Sequence, residues 1–245
     1  MPGFPRLSPR ATLTVVVGLA VGLTGFEAHA QIQPLEPVVS LHESRLLRRV
    51  EQDVHGALLA ASGDARDAHL DAAEQVARHL VGTEPASAEA RYWLAVTLGV
   101  RTEYGGPLEK LTTGKEVFFT AARVLELDPD HPGGHEMMGR LHVAVMRLPW
   151  LIRGMAMRMG MGEALGEASW ARAEEHFRRA CALDGRAVAP RLELAKLYLA
   201  RDRAGEARPL LREIASIDPG HEVDRRMVAE GRDLLHRLDE TLSGS

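Results

Sequence analysis

The stretch "WARAEEHFRRACALDG" (residues 170–185) constrains the fold more than any other. Ala173, Phe177 and Ala180 share one helical face, and the helix halts at Leu183-Asp184-Gly185. Two alanines leave room for a neighbouring helix to approach closely, and the ring between them fills the space beside that contact. The device works only if it recurs along the chain. Helix stops stand at Pro85, Pro129, Gly185 and Pro219, and each is preceded by the same offsets: Ala73; Val117, Ala121 and Val124; Ala173, Phe177 and Ala180; Ala207 and Leu211. The pairs Leu94-Ala95, Met138-Gly139 and Leu194-Ala195 follow three of the stops at one common distance, with Leu98 and Tyr198 a helical turn further on.

This is the register of the tetratricopeptide pattern, a helix–turn–helix unit of about 34 residues whose small positions let paired helices nestle. The stops lie 44, 56 and 34 residues apart, so two units carry insertions, near residues 102–114 and 143–168. No alternating Val/Ile/Thr run argues for a strand. The expected fold is all-α: a tetratricopeptide-like α-solenoid of about four helix pairs plus a C-terminal capping helix, over residues 42–242. The first unit is the weakest. Its leading helix aligns Leu47, Val50, Val54 and Leu58 but lacks the Leu-Ala pair. The last helix sets Val223, Met227, Gly231, Leu234 and Leu238 on one face with charges opposite, as a solvating cap requires.

Residues 1–30 read as a secretory signal: Arg6 and Arg10, an apolar run too short for a comfortable span, then Ala28-His29-Ala30 before Gln31. Residues 31–41 form a Pro-containing linker. The expected location is outside the cytoplasm, in a bacterial periplasm; the alternative is a membrane-anchored protein facing it. Membrane association follows only if residues 11–25 stay on the mature chain. Formal net charge is −4, which gives no electrostatic case for nucleic acid. The single cysteine, Cys181, forms no internal disulfide and reads as a small buried hydrophobe.

Catalytic and metal motifs are absent or incomplete. "HEMMGRLH" places Gly139, not histidine, four residues after His135, so a helical zinc pair is not formed. His142 lies two turns beyond His135 and could share its face, but one nearby carboxylate completes no site; solvated or capping histidines are expected. "GGPLEKLTTGKE" has Glu109 and Glu116 where a phosphate loop needs glycine and a hydroxyl. No metal, cofactor or catalytic group is assigned.

From "MGRLHVAVMRLPWLIRG" onward the sequence resembles the regulator of microtubule dynamics proteins, a divergent tetratricopeptide-like family. The likeness rests on Met138-Gly139, Pro149-Trp150 and Arg153, then the residue 170–185 helix, the "LELAKLYLARDRAGEARPLL" unit, and Asp224, Ala229-Glu230 and Leu234-Leu235. It covers roughly residues 86–238. The resemblance implies an all-helical adaptor without catalysis. Its eukaryotic members associate with microtubules and organelle membranes, roles that should not carry over if this chain is exported from a bacterium.

One segment stands out beyond the repeat. Trp150, Arg153, Met155, Met157, Met159 and Met161 crowd the second insertion. Methionine is flexible and polarizable, so it suits surfaces that accept varied apolar partners. The plainer reading is that the insertion folds onto the array and fills core; the candidate functional role is a lip for a protein or peptide partner, and membrane-surface contact by a basic amphipathic helix is a third reading. Two further alternatives stay open: a small-ligand carrier closed by the Met-rich insertion, and a metal-binding protein using His135 and His142.

Overall fold

A computed structural model describes residues 41–243. The signal, the stretch 11–25 and all but the last residue of the linker lie outside the described residues. Within them every regular element is helical. The helices are α1 (Leu41–Leu59), α2 (Gly63–Thr83), α3 (Ala88–Tyr104), α4 (Pro107–Leu127), α5 (Pro132–Arg147), α6 (Trp150–Ala156), a π-turn (Met157–Met161), α7 (Gly162–Glu167), α8 (Trp170–Leu183), α9 (Val188–Leu199), α10 (Ala204–Ser216) and α11 (Glu222–Ser243).

The helices pair as α1 with α2, α3 with α4, α5 with α8 and α9 with α10; α11 closes on α9 and α10. Four helix pairs and a cap are therefore present, with α6 and α7 inserted inside the third pair. Leu94, Ala95, Met138, Ala173, Phe177, Ala180, Leu194, Ala195, Tyr198 and Ala207 are all buried, as is Gly139. Their packing explains the small positions. A Cβ built on Gly139 would meet Phe177 Cε1 at 2.6 Å, so the Phe177 ring rests on bare α5 backbone. The same trick recurs at the far end, where a Cβ on Gly231 would meet Ile214 Cγ2 at 2.6 Å.

Three of the turns between pairs are built alike. After α2, α4 and α8, the amides of Glu84, Asp128 and Asp184 donate back to Leu80, Val124 and Ala180. Three residues later Ser87, His131 and Ala187 donate to Glu84, Asp128 and Asp184. Ser62, Ser87 and Ser169 then cap α2, α3 and α8 by accepting from backbone amides, and His131 Nδ1 does the same for Gly134 at the start of α5. The α8–α9 turn carries an extra tie. Arg191 is nearly buried and donates to the carbonyls of Asp184, Gly185 and Ala187, so one arginine ties the turn that follows α8.

The surplus residues of the two insertions take different forms. Around 102–114 no long loop forms: α3 and α4 are extended and only Gly105-Gly106 separates them, with Pro107 opening α4. Extra residues of good helix propensity lengthen a packed helix at less cost than they order a loop. The second insertion begins later than Val143. Val143 and Val145 are buried residues of α5, and Leu148-Pro149 ends that helix because proline disfavours helical backbone before it. In the first pair the small position is Gly56, packed on the His69 ring. The short loop at 60–62 shifts α1 out of the register that served the later units.

Candidate interaction surface

The first helices of the pairs, with α11, make one continuous face. α1 touches α3, α3 touches α5, α5 touches α9 and α9 touches α11, and α11 returns to α1. At that closure the His55 and His221 rings lie 5.5 Å apart and Arg226 Nη1 donates to the Leu58 carbonyl at 3.4 Å. Five helices thus form a closed circuit of contacts.

A ladder of charge runs across it. Arg140 on α5 pairs with Glu136 at 3.0 Å and with Glu193 on α9 at 3.6 Å. Lys196 joins Glu193 at 3.6 Å to Glu230 on α11 at 2.7 Å. Tyr92 on α3 lies against the Gly133 backbone and the His131 ring, within the fields of Glu136, Glu89 and Glu51. Burial, then Glu136 and Glu89, pushes the Tyr92 phenol up and keeps it neutral. Burial also holds the Glu136 carboxyl above its ordinary range, although Arg140 opposes it. Burial opposes the charge on Arg140 too, but Glu136 and Glu193 outweigh it. Yet 41% of the Arg140 side chain and 20% of the Glu136 side chain remain accessible. Groups that feel burial and still meet water line a concavity, not a core.

The insertion has two sides. Ala156, Leu165 and Val145 are buried together, with Leu148, Ile152 and Ala168 packed on them. Arg153 Nη2 donates to the Val145 carbonyl at 2.9 Å and ties α6 to α5. The other side is open: Trp150 is 84% exposed, Leu151 57%, Met155 45% and Met157 60%. The side chains of Met159 and Met161 lie outside the described residues. The helical spacing of the run is broken by the π-turn, where Gly160 takes φ 80°.

The sequence reading expected solvated or capping histidines; His135 does meet a turn carbonyl, whereas His142 is packed in the α5–α8 seam. His142 is buried, its ring stacked on His176 at 5.4 Å, and its Nε2 has no partner. His135 and His176 face each other through Nδ1 at 2.9 Å, and His135 Nε2 lies 3.0 Å from the Pro129 carbonyl. The carbonyl can only accept, so His135 Nε2 carries a proton. In the neutral pair that leaves His135 Nδ1 as acceptor, and His176 Nδ1 donates to it. Burial, then His135 and His142, pushes His176 down to about 4. Burial lowers His142 as well. Among the described residues no group of three or more His, Cys, Asp or Glu side chains is placed to hold a metal ion. Cys181 is half-buried and burial pushes its thiol up to about 11, which leaves it protonated at neutral pH.

Comparison with known families decides the chain's kinship. The model of the regulator of microtubule dynamics protein 1-3 family matches residues 42–239. The chain belongs to that family. Its match spans all four helix pairs, the insertion and most of α11, so these are features of one family domain. Against curated protein sequences the chain has no match. Among solved structures it is similar to a thermophilic tetratricopeptide-repeat protein of Thermus thermophilus, at 18% identity and a TM-score of 0.48, over 81% of this chain and 87% of that one.

Proposed function

We propose that this protein is a non-catalytic adaptor that seats a segment of a partner protein on the inner face of its helix ring. The observation that carries the reading is the ladder Glu136–Arg140–Glu193–Lys196–Glu230. These groups span three helices in a concavity, where pairing charges contributes less to stability than apolar packing of the same volume would. Charged and aromatic side chains held in a wet recess give directional contacts to a ligand that enters it. A tetratricopeptide-like family domain supports a scaffold over an enzyme, and the sequence supplies no catalytic constellation.

The site of action we propose is outside the cytoplasm, supported by Arg6, Arg10, the apolar run and Ala28-His29-Ala30. Microtubules, named in the family description, are then not the partner. N-terminal sequencing of the exported protein should begin at Gln31; a chain that keeps residues 11–25 would point to an anchored scaffold instead. The inner-face reading is tested with a photo-crosslinking side chain at Tyr92 and, separately, at Arg123 on α4. A discrete adduct in native extract from position 92 and none from 123 is expected. Equal labelling from both positions would remove the reading.

A further inference from the structure

The exposed side of α6 is a second surface, separate from the inner face, and its test does not depend on that reading. Three observations define it. First, four of the most exposed large apolar side chains among the described residues, Trp150, Leu151, Met155 and Met157, stand within eight residues. Scattered exposed apolar residues are ordinary, but a contiguous group marks an interaction site.

Second, the group is presented, not frayed. Ile152, Ala156 and Leu165 hold the opposite side of the insertion against Val145, and the Arg153 side chain is spent on the Val145 carbonyl. Trp150, Leu151 and Met155 are exposed on a helix whose back is fixed, and Met157 follows at the start of the π-turn.

Third, the segment's own charges from residue 142 to residue 162 are positive only. Residues 142–162 contain three arginines and no aspartate or glutamate, in a chain whose net charge is −4. Arg147 and Arg158 are exposed, and neither has an ion-pair partner among the described residues. The exposed arginines that follow in α8 are paired instead, Arg172 with Glu167 and Arg179 with Asp130. Two unpaired arginines flanking an apolar group leave room for carboxylates from outside.

We infer that this face docks an acidic amphipathic helix of a partner protein, its apolar side chains on Trp150, Leu151, Met155 and Met157 and its carboxylates on Arg147 and Arg158. Methionines adapt to side chains of varied shape, and tryptophan supplies the large buried area that anchors such contacts. A helix laid on an apolar strip and framed by opposite charge is an established recognition mode. A lipid surface would be met by a broad amphipathic face, whereas α6 has only Trp150–Ala156 and its third arginine is turned inward.

The experiment uses the full chain and Trp150 fluorescence, with Trp150→Phe identifying the signal against Trp93 and Trp170. The probe is a synthetic amphipathic helix of leucine and glutamate, compared with the same peptide carrying glutamine for glutamate. Saturable binding of the acidic peptide is expected, with weaker binding of the glutamine peptide. Affinity should fall roughly tenfold in the exposed double variant Arg147→Glu/Arg158→Glu. It should also weaken as salt rises from about 50 to about 300 mM. Circular dichroism of that variant should match the native chain, which separates lost docking from lost folding.

Equal binding of both peptides, or no saturable binding, would overturn the proposal. Anionic and zwitterionic phospholipid vesicles form a parallel arm: a Trp150 response to anionic vesicles without one to the peptide would replace the protein partner with a membrane. Sedimentation of the protein alone is the last arm. A dimer dispersed by the double charge reversal would give the face to a second copy of the chain, and so sink the proposal as well.

Discussion

Single residues decide how closely the helices pack, and Gly139 is the clearest case. Two effects compete when glycine in a helix becomes alanine. The unfolded chain loses freedom, which favours folding by roughly 0.5–1 kcal/mol. A methyl group inserted into a filled space costs about 1–3 kcal/mol. At Gly139 the new Cβ would sit 2.6 Å from Phe177, an aromatic ring with no flexible end to give way, so overpacking wins. At Gly114, inside α4, nothing lies within 4 Å and the entropic gain stands alone. Thermal unfolding should therefore show Gly139→Ala less stable than the native chain, Gly139→Leu worse still, and Gly114→Ala slightly more stable. The same sign at both positions would refute the account of the small positions.

The seam histidines give the second residue-scale prediction. His176 is held at about 4, below its ordinary value near 6.5, by burial and then by His135 and His142. The unfolded chain thus takes up a proton first as pH falls. Stability should be flat above about pH 7 and decline between pH 6.5 and 4. Glu136, raised by burial, acts in the opposite sense, and Arg172, Glu167 and Glu175 lie near enough to contribute. The test is therefore a difference: His176→Phe should unfold with a smaller loss between about pH 7.5 and about pH 5 than the native chain. An unchanged slope would show that the acid response lies elsewhere.

The small positions were legible in the sequence because their offsets from each helix stop repeat. The histidine contact was not. His135 and His176 are 41 residues apart with the insertion between them, and no local period connects them. Arg191 was invisible for a related reason. Its carbonyl partners lie within the preceding turn, but only the folded turn brings three of them to one guanidinium.

At the scale of elements, the sequence revealed that insertions exist but not what they become. A repeat period counts surplus residues without saying whether they extend helices, as around Gly105-Gly106, or build new ones, as between Pro149 and Ser169. The charge ladder of the inner face was equally hidden, since only stacking brings α5, α9 and α11 together. The inserted segment is a small unit with few buried residues, Ala156 and Leu165 among them. Its turn depends on Gly160, the described glycine with positive φ. Alanine there would adopt a left-handed conformation costing about 1–2 kcal/mol, and its Cβ would stand 3.1 Å from Lys115 Nζ. That penalty is large beside the local stability of so small a cluster and small beside that of the array. Gly160→Ala should speed amide exchange in residues 150–167 while leaving the main thermal transition nearly in place. A full-array shift of several degrees without local loosening would mean that the insertion is integral to the stack.

The whole molecule poses a question of what holds the ring. Two seams meet at α11. One is the closure on α1: a tilted pair of histidine rings and a hydrogen bond of 3.4 Å from Arg226. An exposed contact of that kind contributes about 0.5 kcal/mol or less. The other is the packing on α9 and α10, where Val228 is 1% exposed, Gly231 lies against Ile214, and Leu234, Leu235 and Leu238 join the largest core cluster. Fully burying an aliphatic side chain, as at Val228, contributes about 1.5–3 kcal/mol, and the partly buried leucines add less apiece. The ends therefore meet because each pair stacks on the next with a fixed rotation, not because the meeting is strong. Stability in such an array passes between neighbours, so loss at one end should not spread evenly. Arg226→Ala should leave thermal unfolding unchanged within about 0.5 kcal/mol. Val228→Ala should destabilise by about 1–2 kcal/mol and raise amide exchange first in α10 and α11. If Arg226→Ala instead loosened α1 and α11 together as much as Val228→Ala loosens α10, closure would have to be counted among the forces that set the curvature. The inner face would then be a ring locked by its ends, and a partner entering it would have to open that lock.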